Sequence, residues 1–268
     1  MTSVSEYSSR AEALQPRRYR FLIAGLVMAA HFSVGLNLFT ISPLLGDVIR
    51  DHEINRGSAG LLVALALLVA AGFGLPGGVV ISRLGIARSY TVGWWLAGLM
   101  TLSFLAPNYL SLLALRLSFG LGFALVLITT GPLLLRWFRP KEVLVMNGLN
   151  TAVLSLGIAI SIATAAPLAG VLGWQNSLSV FGAIGLVGAA AWTVLGKVPG
   201  DSVRKSGSMS FRAIPRLIRN RQIVLLLLAD GGVLVQYTAL TAWLPAFYTE
   251  VRGMTPTGAG FADRKSVV

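Results

Sequence analysis

The sequence contains no cysteine and few charged residues. The absence of cysteine excludes disulfides, thiolate catalysis and cysteine-ligated zinc. Only 12% of the 268 residues are charged, about half of the roughly 25% that is usual for a soluble domain. Acidic residues are scarcest, with 10 Asp and Glu against 22 Lys and Arg. A soluble enzyme is therefore disfavoured.

Long apolar runs dominate the chain. Hydrophobic residues make up 55% of it, with a mean hydropathy of +0.74. A helix needs about 20 apolar residues to cross the hydrocarbon layer, and seven stretches approach or exceed this length. We predict membrane-spanning helices near residues 21–45, 58–81, 89–106, 109–135, 143–172, 176–196 and 222–248. The predicted fold class is an all-α membrane protein, with the lipid bilayer as its partner.

Basic residues are concentrated in alternate gaps between these runs. Four lie in the N-terminal arm, two in the gap 82–88, three in 136–142 and seven in 197–221, whereas the opposite gaps hold three. Positive residues are retained on the cytoplasmic side, so we predict a multi-pass protein of the inner (plasma) membrane with a cytoplasmic N-terminus. The scattered placement argues against nucleic-acid binding, in spite of a net charge of +12.

The spacing of the runs predicts the domain organisation. We expect a cytoplasmic arm (1–20), a six-helix bundle (21–196), a cytoplasmic interdomain linker (197–221), a seventh helix with the start of an outer loop (222–262), and a tail (263–268). The codons of the last six residues can match the start of a sequencing adapter. We therefore expect a non-native tail on a C-terminally truncated fragment.

The gap between the second and third runs carries a recognisable motif, formed by Gly78, Ser82, Arg83, Gly85 and Arg88. It resembles the Gly-x-x-x-Asp-Arg-x-Gly-Arg-Arg signature of the major facilitator superfamily (MFS). The resemblance implies a gate on the cytoplasmic side that is held by charge pairing. Ser82 replaces the acidic residue of the signature, so the charge pairing at that position is lost.

A second motif lies in the fourth run. Arg116, Gly120 and Gly122 are similar to the Arg-x-x-x-Gly-x-Gly pattern that the same family carries in its fourth helix. The two motifs imply an MFS-type N-terminal six-helix bundle plus transmembrane helix 7 of an incomplete second bundle. Residues 242–248 also resemble the cyanate and nitroimidazole transporter branch of that family.

Three ionisable residues lie well inside the apolar runs, where such groups are costly and are therefore candidates for function. His31 could accept a proton or bind a solute, Arg116 could bind an anion, and Asp230 could carry a proton or cation. Structural roles are the alternatives. They are a hydrogen bond to a neighbouring helix for His31, packing against helix-end carbonyls for Arg116, and a helix-end acid that reaches water for Asp230.

Uncharged polar residues add hydrogen-bonding capacity on the first, fifth and seventh runs: Asn37, Asn147, Asn150, Gln236 and Tyr237. We include Asn37, Gln236 and Tyr237 among the candidates for substrate or proton coupling. Hydrogen bonding between helices is the expected role of most of the five. Tryptophans near the ends of runs, such as Trp94 and Trp174, are expected to anchor the chain at the membrane surface.

These features predict a secondary active transporter of a small polar solute that works by alternating access, with a coupling proton or ion. An organic or inorganic anion matches Arg116 best. The sequence shows no catalytic residues, metal site or cofactor-binding motif. The alternatives are a non-transporting seven-helix receptor and a membrane-embedded enzyme, and the fragment by itself is expected to be inactive.

Overall fold

Every regular element is helical in the part of the chain that the structure describes. The computed structural model describes residues 18–200, 219–255 and 258. The α-helices are α1 (Tyr19–Leu38), α2 (Leu45–His52), α3 (Arg56–Leu84), α4 (Ile86–Gly98), α5 (Tyr109–Leu134), α6 (Pro140–Leu172), α7 (Trp174–Leu195) and α8 (Arg221–Glu250). Most of the predicted arm and linker, and the whole predicted tail, lie outside the described residues.

The helix lengths agree with a chain that crosses a bilayer repeatedly. Five segments are long and apolar enough to do so by length and composition: α1 continued through α2, α3 as far as Gly74, α5, α6 and α7. The third predicted span forms α4 and a directly following 3-10 segment, Leu99–Leu105. At 1.5 Å per α-helical residue and about 2.0 Å per 3-10 residue, these elements together extend roughly 33 Å. The seventh predicted span forms α8.

α1 ends earlier than the sequence predicts. The predicted span runs to residue 45, but the helix ends at Leu38 and a 3-10 turn, Ser42–Leu44, connects it to α2. Pro43 has no backbone N–H and cannot continue the ladder of hydrogen bonds. The N–H of Ser42 instead donates to the carbonyl of Phe39 at 2.9 Å. The first span is therefore a broken helix.

Glycine permits two abrupt helix boundaries. Gly85 lies between α3 and α4, and Gly173 lies between α6 and α7, with φ angles of +87° and +84°. Residues with a Cβ atom rarely adopt this conformation. The N–H of Gly85 also donates to the carbonyl of Ile81 at 2.9 Å and closes the end of α3. The chain can therefore leave one helix and start the next within a single residue.

Most of the helices contact more than one neighbour. α1 contacts α6 and α7, while α5 packs against α3 and α4, and α4 packs against α7. We call the end of the bundle at which α1 begins the Tyr19 end, and the opposite end the His52 end; each has its own buried apolar cluster. Trp94 and Trp174, which were expected at the membrane surface, are buried in these clusters. That expectation is wrong because both indoles fill space between helices.

The backbones of α1 and α6 are in direct contact. A Cβ atom added to Gly35 would lie 2.1 Å from the carbonyl oxygen of Leu154, and one added to Gly157 would lie 2.5 Å from that of Phe32. Small residues allow such close approach between helices in lipid, where apolar burial contributes little to association. The two glycines therefore fix both the distance and the register of α1 against α6.

Substitution of Gly35 tests this contact. Gly35→Ala should lower the melting temperature, because overpacking a close contact costs about 1–3 kcal/mol. Gly25→Ala on the same helix is the matched control, since its added Cβ would meet nothing within 4 Å, and it should melt at or above the wild-type temperature. Thermal unfolding of the purified protein in detergent measures both. Equal melting of the two variants would contradict the close contact.

Candidate functional site

Arg116 extends from α5 into the interior of the bundle and is completely buried, at 0% exposure. Its Nη1 donates a 2.8 Å hydrogen bond to the carbonyl oxygen of Asn37. The last four carbonyls of a helix have no partner within it, and the helix dipole favours a cation at this end. Arg116 therefore caps α1 at its break, in the manner given above as the structural alternative to anion binding.

This bond uses only one of the three nitrogen atoms of the Arg116 guanidinium. Its Nε and Nη2 are buried and have no hydrogen-bond partner among the described residues. The ion pairs in that part of the chain all involve other arginines: Arg20–Glu142, Arg50–Asp47 and Arg56–Glu250. A buried cation with unused donors costs free energy. An anion bound near it would offset that cost.

Asn37 connects three helices around this cation. Its Nδ2 donates to the carbonyl of Ser33 at 2.8 Å and to the carbonyl of Phe181, on α7, at 3.0 Å. The hydroxyl of Ser33 in turn accepts a 3.1 Å hydrogen bond from the indole of Trp94 on α4. One polar network therefore joins α1 to α4, α5 and α7 at the core of the bundle.

His31 lies nearer the Tyr19 end than this network. It is buried, and its Nδ1 lies 2.9 Å from the carbonyl oxygen of Val27, one turn earlier in α1. Six residues separate His31 from Asn37, which corresponds to about 9 Å along the helix. The two polar candidates of α1 thus occupy different levels of the bundle.

The candidates on α8 are only partly described. Asp230, Gln236 and Tyr237 all fall within the helix. Gln236 is exposed. The side chains of Asp230 and Tyr237 lie outside what the structure describes.

The motif between α3 and α4 contributes backbone conformation and a hydrogen bond within α3 in the described structure, rather than ion pairs. Gly78 lies within α3, and the hydroxyl of Ser82 donates to the carbonyl of Val79 in the same helix at 2.8 Å. Arg83 and Arg88 are exposed, and the ion pairs of the described ranges do not include them. Gly85 supplies the positive φ that the boundary requires.

At the His52 end, α8 closes against the bundle through residues that sequence reasoning missed. Nη2 of Arg56, at the start of α3, lies 2.6 Å from Oε2 of Glu250 at the end of α8. A Cβ added to Gly60 would lie 3.1 Å from the ring of Trp243. A cavity of about 530 Å³ lies beside this contact, between the α1–α2 turn and the ends of α6, α7 and α8. The sequence did contain a signal for this contact, because Arg56 and Glu250 have opposite charges and lie next to the second and seventh predicted spans.

The beginning of α8 is described in less detail. Arg221, Gln222, Leu225 and Leu228 are exposed, whereas Val224 is half-buried. The contacts that the structure describes for α8 are with α3 and the 3-10 turn, toward the His52 end.

Comparison with known families and proteins gives consistent matches. A model of the Major Facilitator Superfamily matches residues 27–262. The hexuronate transporter of Bacillus subtilis (strain 168) is 24% identical over 226 residues, which cover 80% of this chain and 52% of that protein. The D-galactonate transporter of Escherichia coli O6:H1 (strain CFT073) is 21% identical, over 93% of this chain and 64% of that protein. The chain thus spans between half and two thirds of the length of these relatives.

Solved structures share the fold. A bacterial homolog of the human lysosomal transporter Spinster, in an inward-facing and unoccupied conformation, superposes with a TM-score of 0.75 at 15% identity, over 92% of this chain and 59% of that one. The occupied inward-facing conformation of such a homolog gives a TM-score of 0.70, over 92% and 58%. At this identity the likeness concerns the fold alone.

Cross-linking tests the contact at the His52 end. The chain has no cysteine, so Arg56→Cys with Glu250→Cys would introduce the only thiols, and a short bismaleimide should join them. A protease site inserted at Gly207 would then yield two fragments that stay together on a denaturing gel. Arg56→Cys with Gln222→Cys is the control, about 42 Å further along α8. Cross-linking of both pairs, or of neither, would contradict the arrangement.

Proposed function

Because the chain belongs to the Major Facilitator Superfamily, we propose that it forms part of a secondary active transporter that moves a small organic anion across a membrane by alternating access. Members of this family are multi-pass membrane transporters and not enzymes, which removes the membrane-embedded enzyme as an alternative. Transport is proposed for the whole protein, since the relatives are longer than this chain. The placement of basic residues supports an inner (plasma) membrane location with the Tyr19 end in the cytoplasm.

The observation that carries this proposal is the one-sided contact of α8. Arg56 and Glu250 join it to the bundle at the His52 end, where Trp243 covers Gly60. Near its beginning, Arg221, Gln222, Leu225 and Leu228 are exposed, whereas Val224 is half-buried. A transporter that exposes its binding site to one side at a time requires this asymmetry. With the orientation proposed above, the contacts of α8 lie on the outer side, which supports a state that is closed on that side.

Arg116 supports an anion as the solute. A guanidinium is a donor-only cation that matches a carboxylate, with which it can form two parallel hydrogen bonds. Nε and Nη2 of Arg116 are buried without partners, so a nearby anion would be attracted in a medium of low dielectric constant. In this conformation Arg116 is enclosed and bonded to Asn37. We therefore assign it the role of supplying positive charge and positioning α1 rather than direct solute contact in this state.

Sugar acids are the first candidates within that class. The relatives described above are named for hexuronate and D-galactonate, which are both hydroxylated carboxylates. They are not named for cyanate or nitroimidazole, and for this reason we give the sugar acids precedence over the branch indicated by residues 242–248. His31 and Asp230 are the proposed carriers of a coupling proton, because both lie within apolar helices.

Uptake by the product of the complete gene in proteoliposomes tests the proposal. The protein should accumulate D-galactonate or a hexuronate, and Arg116→Met should reduce uptake by about tenfold or more, because it removes the buried positive charge and the hydrogen bond that positions α1. The variant should melt at a lower temperature than wild type, because the carbonyl of Asn37 loses its donor, so uptake is compared per amount of folded protein. Arg221→Met, at an exposed arginine, is the control. Wild-type protein without uptake of any organic anion would contradict the proposed solute class.

Proton coupling has its own test. Uptake should rise when a pH gradient directs protons inward with the solute, and His31→Ala and Asp230→Asn should each weaken this dependence, because each removes a group that can hold a proton. Initial rates measured at several external pH values provide the comparison. Unchanged pH dependence in both variants would exclude these residues as the coupling groups.

A further inference from the structure

The exposed surface of α6 divides into two strips of different polarity. Residues three or four apart in a helix lie on the same side of it. One exposed strip follows this spacing with polar side chains, and we call it the polar strip: Asn147, Thr151 and Ser155. The other consists of large apolar side chains, and we call it the apolar strip: Val145, Leu149, Leu156 and Ile160.

The two strips lie on different sides of the helix. At about 100° per residue, their centres are separated by roughly 150° around the axis. A third side is buried and contains Met146, Asn150 and Gly157, of which Gly157 meets the backbone of α1. Leu144, close to the start of α6, is exposed in line with the polar strip and precedes it. The polar strip therefore belongs neither to the contact with α1 nor to the apolar strip.

The two strips require different surroundings. α6 has 33 residues, which correspond to about 50 Å, against about 30 Å for the hydrocarbon layer. Thr151 is roughly 17 Å from the start of the helix and thus at the depth of this layer. Leucine and isoleucine side chains are compatible with lipid tails, whereas an amide or hydroxyl without a hydrogen-bond partner is costly there. The polar strip therefore favours contact with water.

The polar strip offers uncharged hydrogen-bonding groups. The hydroxyl of Thr151 donates to the carbonyl of Asn147 at 3.0 Å, which leaves its oxygen able to accept. The sequence suggests hydrogen bonding between helices for Asn147, but its side chain is exposed and presents both a donor and an acceptor. A hydroxyl group also donates and accepts, so it is the natural complement of these side chains.

The far end of the polar strip lies near the level of the Arg116 hydrogen bond. Ser155 follows Leu154, whose carbonyl lies against Gly35 of α1, and Arg116 donates to Asn37, two residues beyond Gly35. From that level the strip extends about 12 Å toward the Tyr19 end. A Cβ added to the neighbouring Gly148 would meet nothing within 4 Å, so there is space beside the strip.

We propose that the polar strip lines a water-filled path through the membrane and hydrogen-bonds to the hydroxyl groups of the solute. The solute part of this inference rests on the proposed function. In this arrangement Arg116 provides the positive charge that attracts the carboxylate. Asn147, Thr151 and Ser155 distinguish a hydroxylated acid from an apolar one.

Thiol labelling tests the water-filled path. The described chain has no cysteine, so single cysteines can be placed in the complete gene product once any cysteine in its remaining sequence is replaced by serine. A methanethiosulfonate with a quaternary ammonium group should label Asn147→Cys, Thr151→Cys and Ser155→Cys about tenfold or more faster than Leu149→Cys and Leu156→Cys. The reason is that the reactive thiolate forms in water and not in lipid. Initial labelling rates in membrane vesicles of both orientations provide the measurement, and equal rates for the two strips would overturn the proposal.

A matched pair of threonines tests the contact with the solute. Thr151 and Thr164 are both exposed on α6, and each donates to the carbonyl four residues earlier. They lie roughly 140° apart around the helix. Thr151→Val should weaken D-galactonate binding about fivefold, because one hydrogen bond to the solute is lost. Thr164→Val should bind like wild type, and titration calorimetry of the complete gene product in detergent compares them.

The outcomes separate this inference from the proposed function. Hexanoate, a carboxylate with the same number of carbons and no hydroxyls, should bind to wild type and Thr151→Val alike. Binding of D-galactonate with equal affinity by wild type and Thr151→Val would overturn the solute contact and leave the proposed solute class intact. If wild type binds neither acid, the proposed solute class fails together with the solute contact, while the labelling rates still decide whether the strip faces water.

Discussion

The hydrogen bond between Arg116 and the carbonyl of Asn37 is the interaction around which the bundle is organised. Ending a helix inside an apolar bundle leaves carbonyls that no water can satisfy. The buried guanidinium meets this need for one carbonyl and adds a positive charge where the helix dipole is negative. α1 can therefore break at Leu38, at the level where Asn37 also reaches α7. The capping bond and the break depend on each other.

α1 presents two chemically different faces because of this arrangement. Ser33 and Asn37 carry the network to α4, α5 and α7, whereas Gly35 brings the backbone of α6 into contact on another face. The polar face holds helices together by directional bonds, and the glycine face does so by close packing.

Sequence patterns predict where the helices lie better than they predict which helices contact one another. The fourth predicted span, 109–135, agrees with Tyr109–Leu134, because bilayer thickness sets the length of an apolar run. Gly85 was identified from its motif and has the backbone conformation that only glycine adopts readily. The break in α1 before Pro43 was not predicted, since a proline within an apolar run can also be accommodated inside a helix, as Pro76 is in α3. Nor was the pairing of Arg56 with Glu250, which lie 194 residues apart.

The contact at Gly35 and Gly157 also determines how the molecule can deform. Two helices whose backbones touch can neither slide past one another nor rotate separately without losing van der Waals contact. α1 and α6 must therefore travel as one rod, with any bending confined to the 3-10 turn beyond Leu38. Any rearrangement between conformations must therefore use the other helix contacts and leave this one intact.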